Sequence, residues 1–369
     1  MIQTLNLQNF KCFENQTLEF GRLTLLSGLN GMGKSSVLQS LLLLRQSYEQ
    51  GLLPGVGLAL NGELVKIGTG QDALFDEALE DKISFGLKWT EDLAANWSFI
   101  YDREADVINL ASTTANPATA TLSLFNEKFH YLQAERIGPR TSFEMSDFVV
   151  RQRKQLGTQG EFAAYFLSIF GTTLIPNPAL IHRDVASLQL KDQVEAWLGE
   201  ISPGTRLNVI PYATADLTRL EYSFVSRGQA VSNPYRPTNV GFGITYVLPI
   251  LVAVLSATPD TLILLENPEA HLHPRGQAQI GALLARAASG GVQVIVETHS
   301  DHILNGMRVA VHDGEVAPEN IRLHYFERRQ DVEGNRAEVI SPRIDRDGRI
   351  DYWPDGFFDQ WRRSLEDLM

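Results

Sequence analysis

A glycine-rich stretch between a strand-like run and a helix-like run constrains this chain more than any other feature. Residues 28–36 (GLNGMGKSS) match G-x-x-x-x-G-K-S at every fixed position. The preceding residues 23–27 are typical of a buried strand, and residues 37–44 are typical of a helix. A strand, this pattern and a helix in that order predict a phosphate-binding loop.

The residue types of the loop suit an anion. Gly28, Gly31 and Gly33 place no Cβ between the backbone N–H groups and a phosphate. Lys34 adds a positive charge, Ser35 offers a hydroxyl to Mg²⁺, and the helix that begins near Lys34 directs its positive dipole end at the same anion. The predicted nucleotide contacts are Asn30, Gly31, Met32, Gly33, Lys34, Ser35 and Ser36.

The composition limits the class of protein. A chain of 369 residues suits two average domains or one large α/β domain with inserted lobes, and we favour the second. The net charge of -12 argues against a broad surface that coats nucleic acid and leaves a local basic patch open. The single cysteine, Cys12, excludes an intramolecular disulfide, suits a reducing cytosol and is expected to be buried. With no leader pattern and with prolines in the longest apolar run, we expect a cytoplasmic protein without a membrane segment.

The N-terminal residues predict a β-hairpin before the loop. Apolar residues alternate through 1–20 on either side of the sequence NFKCF at 9–13. An N-F-K-x-F turn before a phosphate-binding loop resembles the start of SMC and RecF-type ATPase heads, where this segment lies beside the nucleotide. The resemblance implies that Lys11 contacts phosphate or ribose, and a solvated turn lysine is the alternative.

The middle of the chain predicts two inserted lobes. An antiparallel β lobe is indicated by β-rich runs at 83–89, 97–101, 107–110 and 121–125, followed by a strand over 129–136. Arg136 and Arg140 near the end of that strand are either phosphate contacts or surface ion pairs. A helical lobe is indicated by patterns at 161–170 and 185–198, with strands after it at 206–211 and 220–226. The basic cluster at 151–154 is more typical of a solvated face than of a DNA contact.

A strand that ends in a carboxylate follows in the C-terminal half. Residues 261–266 (TLILLE) are typical of a buried parallel strand that presents Glu266 at its carboxyl edge. Glu266 is therefore a candidate Mg²⁺ ligand together with Ser35. The continuation 267–274 (NPEAHLHP) resembles the D-E-P-E-x-H-L-H-P segment of ABC-type ATPases of the OLD and SMC/RecF groups, which implies ATP and Mg²⁺ as cofactors.

The chain departs from that segment at one position. The family pattern has Asp and then Glu, the second being the base that orients the attacking water, whereas this chain has Glu266 followed by Asn267. An amide cannot accept the proton. We therefore expect slow hydrolysis with Glu269 as the candidate base. The alternatives are that Asn267 only positions water and that Glu269 caps the helix that follows.

A further strand is predicted over 292–297 (VQVIVE), and it ends in the sequence THSDH at 298–302. An apolar strand followed by T-H-S resembles the switch-histidine segment of ABC-type heads, where the imidazole reaches the γ-phosphate. The resemblance implies a catalytic role for His299, whereas His302 is expected on a helix face.

Two glycines stand before an apolar helix pattern at 247–255. The stretch 237–246 (PTNVGFGITY) resembles the signature loop of ABC-type ATPases, which completes the nucleotide site of the opposite subunit. The resemblance implies that Gly241, Gly243 and Thr245 contact the partner's γ-phosphate in a homodimer. A plain N-capped buried helix is the alternative.

The C-terminal residues 344–360 (IDRDGRIDYWPDGFFDQ) predict a turn at Asp347-Gly348 rather than a calcium loop, because the aspartates lack the required glutamate and spacing. With this tail and the segments around Glu266 and His299, the chain closely resembles, over nearly its whole length, a bacterial ATPase family with a C-terminal domain of unknown function. Members of that family are similar to the ATPase halves of OLD-type and Septu-type antiphage systems.

The predicted fold class is α/β: an ABC-type P-loop NTPase head with a central, mostly parallel sheet, an antiparallel β lobe and a helical lobe. The expected segments are an N-terminal ATPase core (1–82), the β lobe (83–140), a helical and mixed lobe (141–235), a C-terminal ATPase core (236–325) and a tail domain (326–369).

The resemblance implies a nucleotide-dependent dimeric switch that hydrolyses ATP slowly and acts in antiphage defence with a separate effector, a nuclease or a toxin. We expect no nuclease activity of the chain itself, because residues 300–369 are too few for a Toprim domain. A nucleotide-gated DNA-binding protein of repair, similar to RecF, is the alternative, and direct contact with nucleic acid stays open. A transporter-coupled ATPase is disfavoured because no membrane segment is predicted.

Overall fold

The computed structural model of the chain describes residues 1–90, 92–225, 230–331 and 334–368. These residues form two compact units, each built from separate stretches of the chain. The first unit comprises Met1–Phe129, Glu319–Asp345 and Ile350–Met369, and the second comprises His130–Pro318 and Arg346–Arg349. The five segments expected from the sequence stay a prediction.

The strands, in chain order, are β1 (Thr4–Phe10), β2 (Phe13–Glu19), β3 (Leu23–Gly28), β4 (Gly57–Ala59), β5 (Lys82–Thr90), β6 (Leu93–Ile100), β7 (Val107–Thr113), β8 (Phe129–Leu132), β9 (Phe143–Glu144), β10 (Thr205–Tyr212), β11 (Leu217–Phe224), β12 (Leu262–Glu266), β13 (Gln293–Glu297), β14 (Ile321–Asp331) and β15 (Gly334–Ile340). The α-helices are α1 (Lys34–Glu49), α2 (Gly70–Ala73), α3 (Ala163–Phe170), α4 (Leu190–Ile201), α5 (Phe242–Ser256), α6 (Pro274–Ser289), α7 (Asp301–His312) and α8 (Gln360–Asp367).

An antiparallel sheet in the first unit has the strand order β2-β1-β5-β6-β7-β4. The predicted N-terminal hairpin is confirmed, since β1 pairs with β2. The other edge of β1 pairs with β5, so the hairpin and the predicted β lobe share one sheet. The strand expected at 121–125 is wrong. Those residues follow a 3₁₀ turn over Pro117–Thr121, and the Asn126 side chain donates a hydrogen bond to the Thr121 carbonyl, which closes the backbone into turns.

The strand before the phosphate loop is buried on both faces. In β3, Leu23, Leu25 and Leu26 are fully buried, as expected of a parallel strand in an α/β fold. β3 runs parallel to β14, and β14 pairs with β15 in antiparallel fashion. α1 leaves the loop directly after β3 and buries its run of leucines over 41–44. The predicted strand, loop and helix are therefore confirmed.

The second unit contains the strands that end in carboxylates. β12 runs parallel to β13 with Glu266 opposite Glu297, and β8 is the other neighbour of β12. A separate antiparallel sheet has the order β10-β11-β9. β10 and β11 match the strands expected at 206–211 and 220–226, of which Ser226 lies outside the described residues.

The helices of the second unit lie where the sequence pattern predicts them, with ends that differ by up to five residues. α4 begins at Leu190 rather than at 185, because the Gln193 side chain binds the backbone of the preceding loop, accepting from His182 N and donating to Ser187 O. α5 is buried from Ile244 to Leu255 although Pro249 lies inside it. An all-round apolar helix of this kind belongs in a core.

No helix within the described ranges is both long and apolar enough to cross a bilayer. The turn predicted at Asp347-Gly348 is confirmed, because Ile344 and Ile350 form an antiparallel bridge and Gly348 has a φ of +73°.

Candidate functional site

The phosphate loop has the backbone that its glycines predict. Gly28, Gly31 and Gly33 have φ values of +138°, +76° and +100°. A Cβ on Gly28 would lie 2.1 Å from the Phe326 carbonyl oxygen, and one on Gly33 would lie 2.6 Å from the Phe13 ring. A residue with a side chain at either position would have an unfavourable φ and would clash with a neighbouring residue. The turn therefore requires glycine at both positions, and α1 begins directly after it at Lys34.

The Lys34 ammonium lies over its own loop. The residue is 3% exposed, and Nζ donates to the carbonyl oxygens of Gly28 at 2.9 Å and Leu29 at 2.8 Å. Ser35 is exposed in the first turn of α1. The loop therefore presents a fixed cation and a hydroxyl at a helix N-terminus, which is the arrangement that suits a phosphate with a metal ion.

Two residues of the N-terminal turn lie beside α1. Lys11 Nζ donates to Gln39 Oε1 at 2.8 Å, and burial lowers the pKa of Lys11. Lys11 is therefore half-buried and held against α1 rather than fully solvated, and its contact with phosphate or ribose stays a prediction. Cys12 is half-exposed rather than buried as expected, and its Sγ lies 2.7 Å from where a Cβ of Gly33 would stand.

Glu266 at the end of β12 is held by two donors. Its Oε1 accepts from the Tyr131 hydroxyl at 2.8 Å, and its Oε2 accepts from the backbone N–H of Ala134 at 3.0 Å. Burial, and then the charge of Glu266, raise the pKa of Tyr131, so its hydroxyl remains a donor. Each carboxylate oxygen keeps a second lone pair, and Mg²⁺ prefers such ligands. Glu266 therefore fits a magnesium ligand with a fixed orientation.

Arg136 is a buried arginine that is hydrogen-bonded to the backbone at the end of β12. The residue is 4% exposed, and its guanidinium donates to the carbonyl oxygens of Glu266 at 2.6 Å and Asn267 at 2.7 Å and lies over the Tyr246 ring at 4.5 Å. Burial lowers the pKa of Arg136 to about 10. The suggested phosphate contact of Arg136 is wrong, since its donors are used on backbone carbonyls. Arg140 is exposed.

The segment Asn267–His273, which we call the post-β12 turn, contains two non-glycine residues in the left-handed region. Asn267 has a φ of +43° and His271 a φ of +63°. The Asn267 Oδ1 atom is buried without a hydrogen-bond partner among the described residues. Asparagine and histidine tolerate this conformation better than most residues, and such strain concentrates at functional sites.

Glu269 binds the residues that follow β13. Its Oε2 accepts from the Thr298 hydroxyl at 2.7 Å, and its Oε1 accepts from the backbone N–H of His299 at 2.8 Å. The alternative that Glu269 caps the next helix is wrong, because the N-cap of α6 is His273, whose Nδ1 accepts from Arg275 N. His299 is exposed, and α7 begins two residues later at Asp301.

The signature-like loop forms the N-terminus of α5. Gly241 is its exposed N-cap, and a Cβ there would meet no described atom within 4 Å. Gly243 differs, because a Cβ there would lie 2.3 Å from the His271 carbonyl oxygen of the same chain. Thr245 is 2% exposed. A buried Thr245 hydroxyl does not fit a phosphate contact across an interface, whereas the backbone at Gly241 is exposed.

A second group of metal-ligating residue types lies elsewhere in the second unit. His182, Asp184 and Glu200 offer ligand atoms within 4.8 Å of one another. However, His182 Nδ1 accepts from the Asp184 backbone N–H at 3.3 Å, which places the proton of a neutral ring on Nε2, 3.3 Å from Glu200 Oε1. This geometry describes a histidine that donates to a carboxylate rather than a metal ligand.

The structure thus brings Glu266, Asn267, Glu269, His299 and the loop at Gly241 together in the second unit, whereas the phosphate loop and Lys11 belong to the first. Sequence reasoning missed Tyr131 and Thr298 as partners of the carboxylates. Thr298 was within the quoted T-H-S motif, and a hydroxyl directly before the switch histidine was the available signal. Tyr131 had no such signal, because it lies 135 positions from Glu266.

Comparison with protein families finds three matches at separate stretches of the chain. A model described as "AAA ATPase domain" matches residues 1–135, and one described as "AAA domain, putative AbiEii toxin, Type IV TA system" matches residues 186–305. The chain carries AAA-type ATPase domains. A "Protein of unknown function (DUF3696)" model matches residues 316–368, which is consistent with the tail resemblance. Comparison with curated proteins finds no sequence relative.

Solved structures give the fold. An SMC head bound to the C-terminal winged-helix domain of ScpA matches with a TM-score of 0.58 and 14% identity, covering 93% of this chain and 98% of the other. An SMC head with an extended coiled coil, bound to the C-terminal domain of ScpA derived from Pyrococcus furiosus, matches with a TM-score of 0.54 and 14% identity, covering 100% and 99%. The ABC-type P-loop head predicted from the sequence is thereby confirmed as the fold of this ATPase.

Proposed function

We propose that this ATPase binds ATP with Mg²⁺ at the loop Gly28–Ser36 and hydrolyses it slowly. The observation that supports this most directly is the loop itself, whose glycines adopt conformations closed to other residues and whose Lys34 ammonium is fixed over the loop carbonyls. In this proposal the nucleotide is contacted by the backbone or side chains of Asn30, Gly31, Met32, Gly33 and Ser36. Lys11 contacts its phosphate or ribose.

In the proposed site, Ser35 and Glu266 hold Mg²⁺. When bound, the metal ion neutralises phosphate charge in phosphoryl transfer. The orientation of Glu266 supports its role, because two donors fix the carboxylate while a lone pair remains on each oxygen. His299 contacts the γ-phosphate in this proposal.

Slow turnover follows from residue 267. The position where related ATPases carry the catalytic glutamate holds Asn267, whose amide cannot accept a proton from water. Asn267 positions water by hydrogen bonds in this proposal. We expect the nucleotide-bound state to be long-lived, which suits a switch better than a motor.

The active unit is proposed to be a homodimer that encloses two ATP molecules. The exposed N-terminus of α5 at Gly241 supports this, because the backbone N–H groups at a helix N-terminus bind anions. No side chain at Gly241 and no described atom within 4 Å of its Cβ position blocks their approach. Nucleotide state then controls a separate effector, a nuclease or a toxin, in cytoplasmic antiphage defence. The match to the AbiEii-type domain supports a role of this class.

The test compares Lys34→Ala and Glu266→Gln in ATP binding, Mg²⁺-dependent hydrolysis and light scattering. Lys34→Ala should lose ATP binding and remain monomeric, because the positive charge that binds the phosphate is gone. Glu266→Gln should bind ATP and accumulate as a dimer without turnover. Lys128 is an exposed lysine of the unit that contains Lys34, so Lys128→Ala is the control and should behave as wild type. Unaltered hydrolysis in either site variant would contradict the assignment.

A further inference from the structure

We propose that Glu269 is a positioning residue that holds the His299 segment and links it to the N-terminus of α5, rather than the base that accepts a proton from water. The proposal deepens the proposed function and rests on it for its kinetic part. Its structural part concerns the second unit alone and is testable without nucleotide.

Both oxygens of the Glu269 carboxylate are used on one segment. The hydroxyl of Thr298 and the backbone N–H of His299 each donate to a different oxygen, at 2.7 and 2.8 Å. Thr298 is fully buried, so its hydroxyl has no competing water. Hydrogen bonds to a carboxylate are about twice as strong as neutral ones. Both oxygens of the carboxylate are therefore directed at the residues beside and including His299, whose position they fix.

The same segment is tied further along. The Thr298 hydroxyl oxygen accepts from Ser300 N at 3.1 Å, and the Ser300 hydroxyl oxygen caps α7 by accepting from His302 N and Ile303 N. Ser300 Oγ also donates to Gln277 Oε1 at 2.5 Å, and Gln277 Nε2 donates to the carbonyl oxygen of Leu272 in the post-β12 turn at 2.8 Å. The turn is therefore hydrogen-bonded to the His299 segment at two points, directly through Glu269 and indirectly through Gln277, which binds the Leu272 carbonyl.

The opposite face of the post-β12 turn contacts the start of α5. The His271 ring lies 4.4 Å from the Phe242 ring and 5.0 Å from the Tyr246 ring, measured between centroids. Its carbonyl oxygen lies where a Cβ of Gly243 would stand. Phe242 is nevertheless 44% exposed, next to the exposed Gly241. A displacement at this surface has to move His271, and with it the turn that carries Glu269.

Two substitutions of Glu269 separate a base from a positioning residue. In Glu269→Gln the amide oxygen accepts from His299 N–H as the carboxylate does, and the amide NH₂ donates to Thr298 Oγ, which reverses the direction of that hydrogen bond. Both contacts therefore remain possible while the proton acceptor is lost. We expect Glu269→Gln to keep kcat within about threefold of wild type, and Glu269→Ala to lose at least about tenfold in kcat with an unchanged KM for ATP. Loss of about 10²-fold or more in both variants would make Glu269 the base and overturn the proposal.

Amide hydrogen exchange in the absence of nucleotide tests the structural part. Peptides that cover 298–304 should exchange faster in Glu269→Ala and at the wild-type rate in Glu269→Gln. Phe242→Ala should also raise exchange in these peptides through His271. Phe148→Ala is the matched control, since Phe148 is another exposed phenylalanine of the second unit and stacks on Arg153 instead.

Unchanged exchange in Glu269→Ala would overturn the positioning role, and unchanged exchange in Phe242→Ala alone would overturn the link to α5. If the variants show the expected differences in exchange but the wild-type protein hydrolyses no ATP, the proposed function is refuted and the positioning role is left intact. Thermal unfolding of each variant identifies any loss of fold, and Glu269→Gln keeps the test decisive if Glu269→Ala does not fold.

Discussion

Replacement of Tyr131 by phenylalanine removes one hydroxyl from the molecule and tests how Glu266 is oriented. The Tyr131 hydroxyl is one of two donors to the Glu266 carboxylate, and the other is a backbone N–H that no side-chain change removes. Tyr131 is 8% exposed, so the ring remains packed in the variant. Tyr131→Phe therefore frees the carboxylate to rotate without deleting it.

The expected size follows from the strength of that contact. A hydrogen bond to a charged group contributes about 1.5–3 kcal/mol, and each 1.4 kcal/mol is about a tenfold change in an equilibrium constant. Glu266 is half-buried, so water replaces part of the lost contact. We expect the Mg²⁺ concentration for half-maximal hydrolysis to rise about 10-fold, at the lower end of the range for residues that support metal ligands.

The assay is ATP hydrolysis at saturating nucleotide across a Mg²⁺ titration. Tyr165→Phe is the matched control, because the Tyr165 hydroxyl also donates to a carboxylate, Asp147, at 2.8 Å in the same unit. The control should leave the Mg²⁺ dependence unchanged. If Tyr131→Phe also leaves it unchanged, or lowers kcat at every Mg²⁺ concentration equally, Tyr131 does not orient a metal ligand and the reasoning fails.

Two further predictions concern the dimer and the fold. Gly241→Glu and Lys34→Ala should each be inactive alone, and a mixture in which mixed dimers are demonstrated should recover part of the wild-type turnover, since each mixed dimer carries one intact site of two. Gly241 serves here because a side chain fits there, whereas one at Gly243 collides with His271 of its own chain; no recovery in the mixture would exclude the shared site. His324 lies between Glu19 O and Ser341 Oγ, each at 2.8 Å, and burial lowers its pKa, so the unfolded chain binds the proton more readily. The free energy of unfolding should fall as the pH drops below about 6.5, and urea unfolding of His324→Gln should lack this part of the pH dependence.

The strand and helix framework of the ATPase could be predicted from local sequence. β3, β12 and β13 are short apolar runs buried on both faces, and each is followed by chemistry that belongs at a carboxyl edge, a glycine loop, Glu266 or Thr298-His299. A strand that is buried on both faces is a continuous apolar run, which is recognisable in the sequence without knowing which strands lie beside it. The phosphate loop was equally visible, since its glycines are required by backbone conformation.

The support of the carboxylates could not be predicted in the same way. Arg136 looked like an exposed phosphate ligand because its residue type suits that role, yet β8 lies beside β12 and carries the residues after it under the end of that strand. Which strand neighbours β12 is a property of the tertiary fold. Gly243 shows the same limit, since a glycine that admits a close backbone approach does not reveal whether the neighbour is a ligand or, as here, the His271 carbonyl.

The left-handed conformation of Asn267 has a consequence for any substitution that introduces a glutamate at this position. Asparagine tolerates a φ of +43° because its short side chain suits this region, whereas the longer glutamate side chain is disfavoured there by about 1 kcal/mol or more. Asn267→Glu would therefore place a glutamate in a turn whose backbone conformation suits asparagine. Its carbonyl is also fixed by Arg136, so the backbone is not free to relax around the new residue. We therefore expect Asn267→Glu alone to lower the stability of the protein, and a second change in the turn to be needed before a carboxylate is accommodated there.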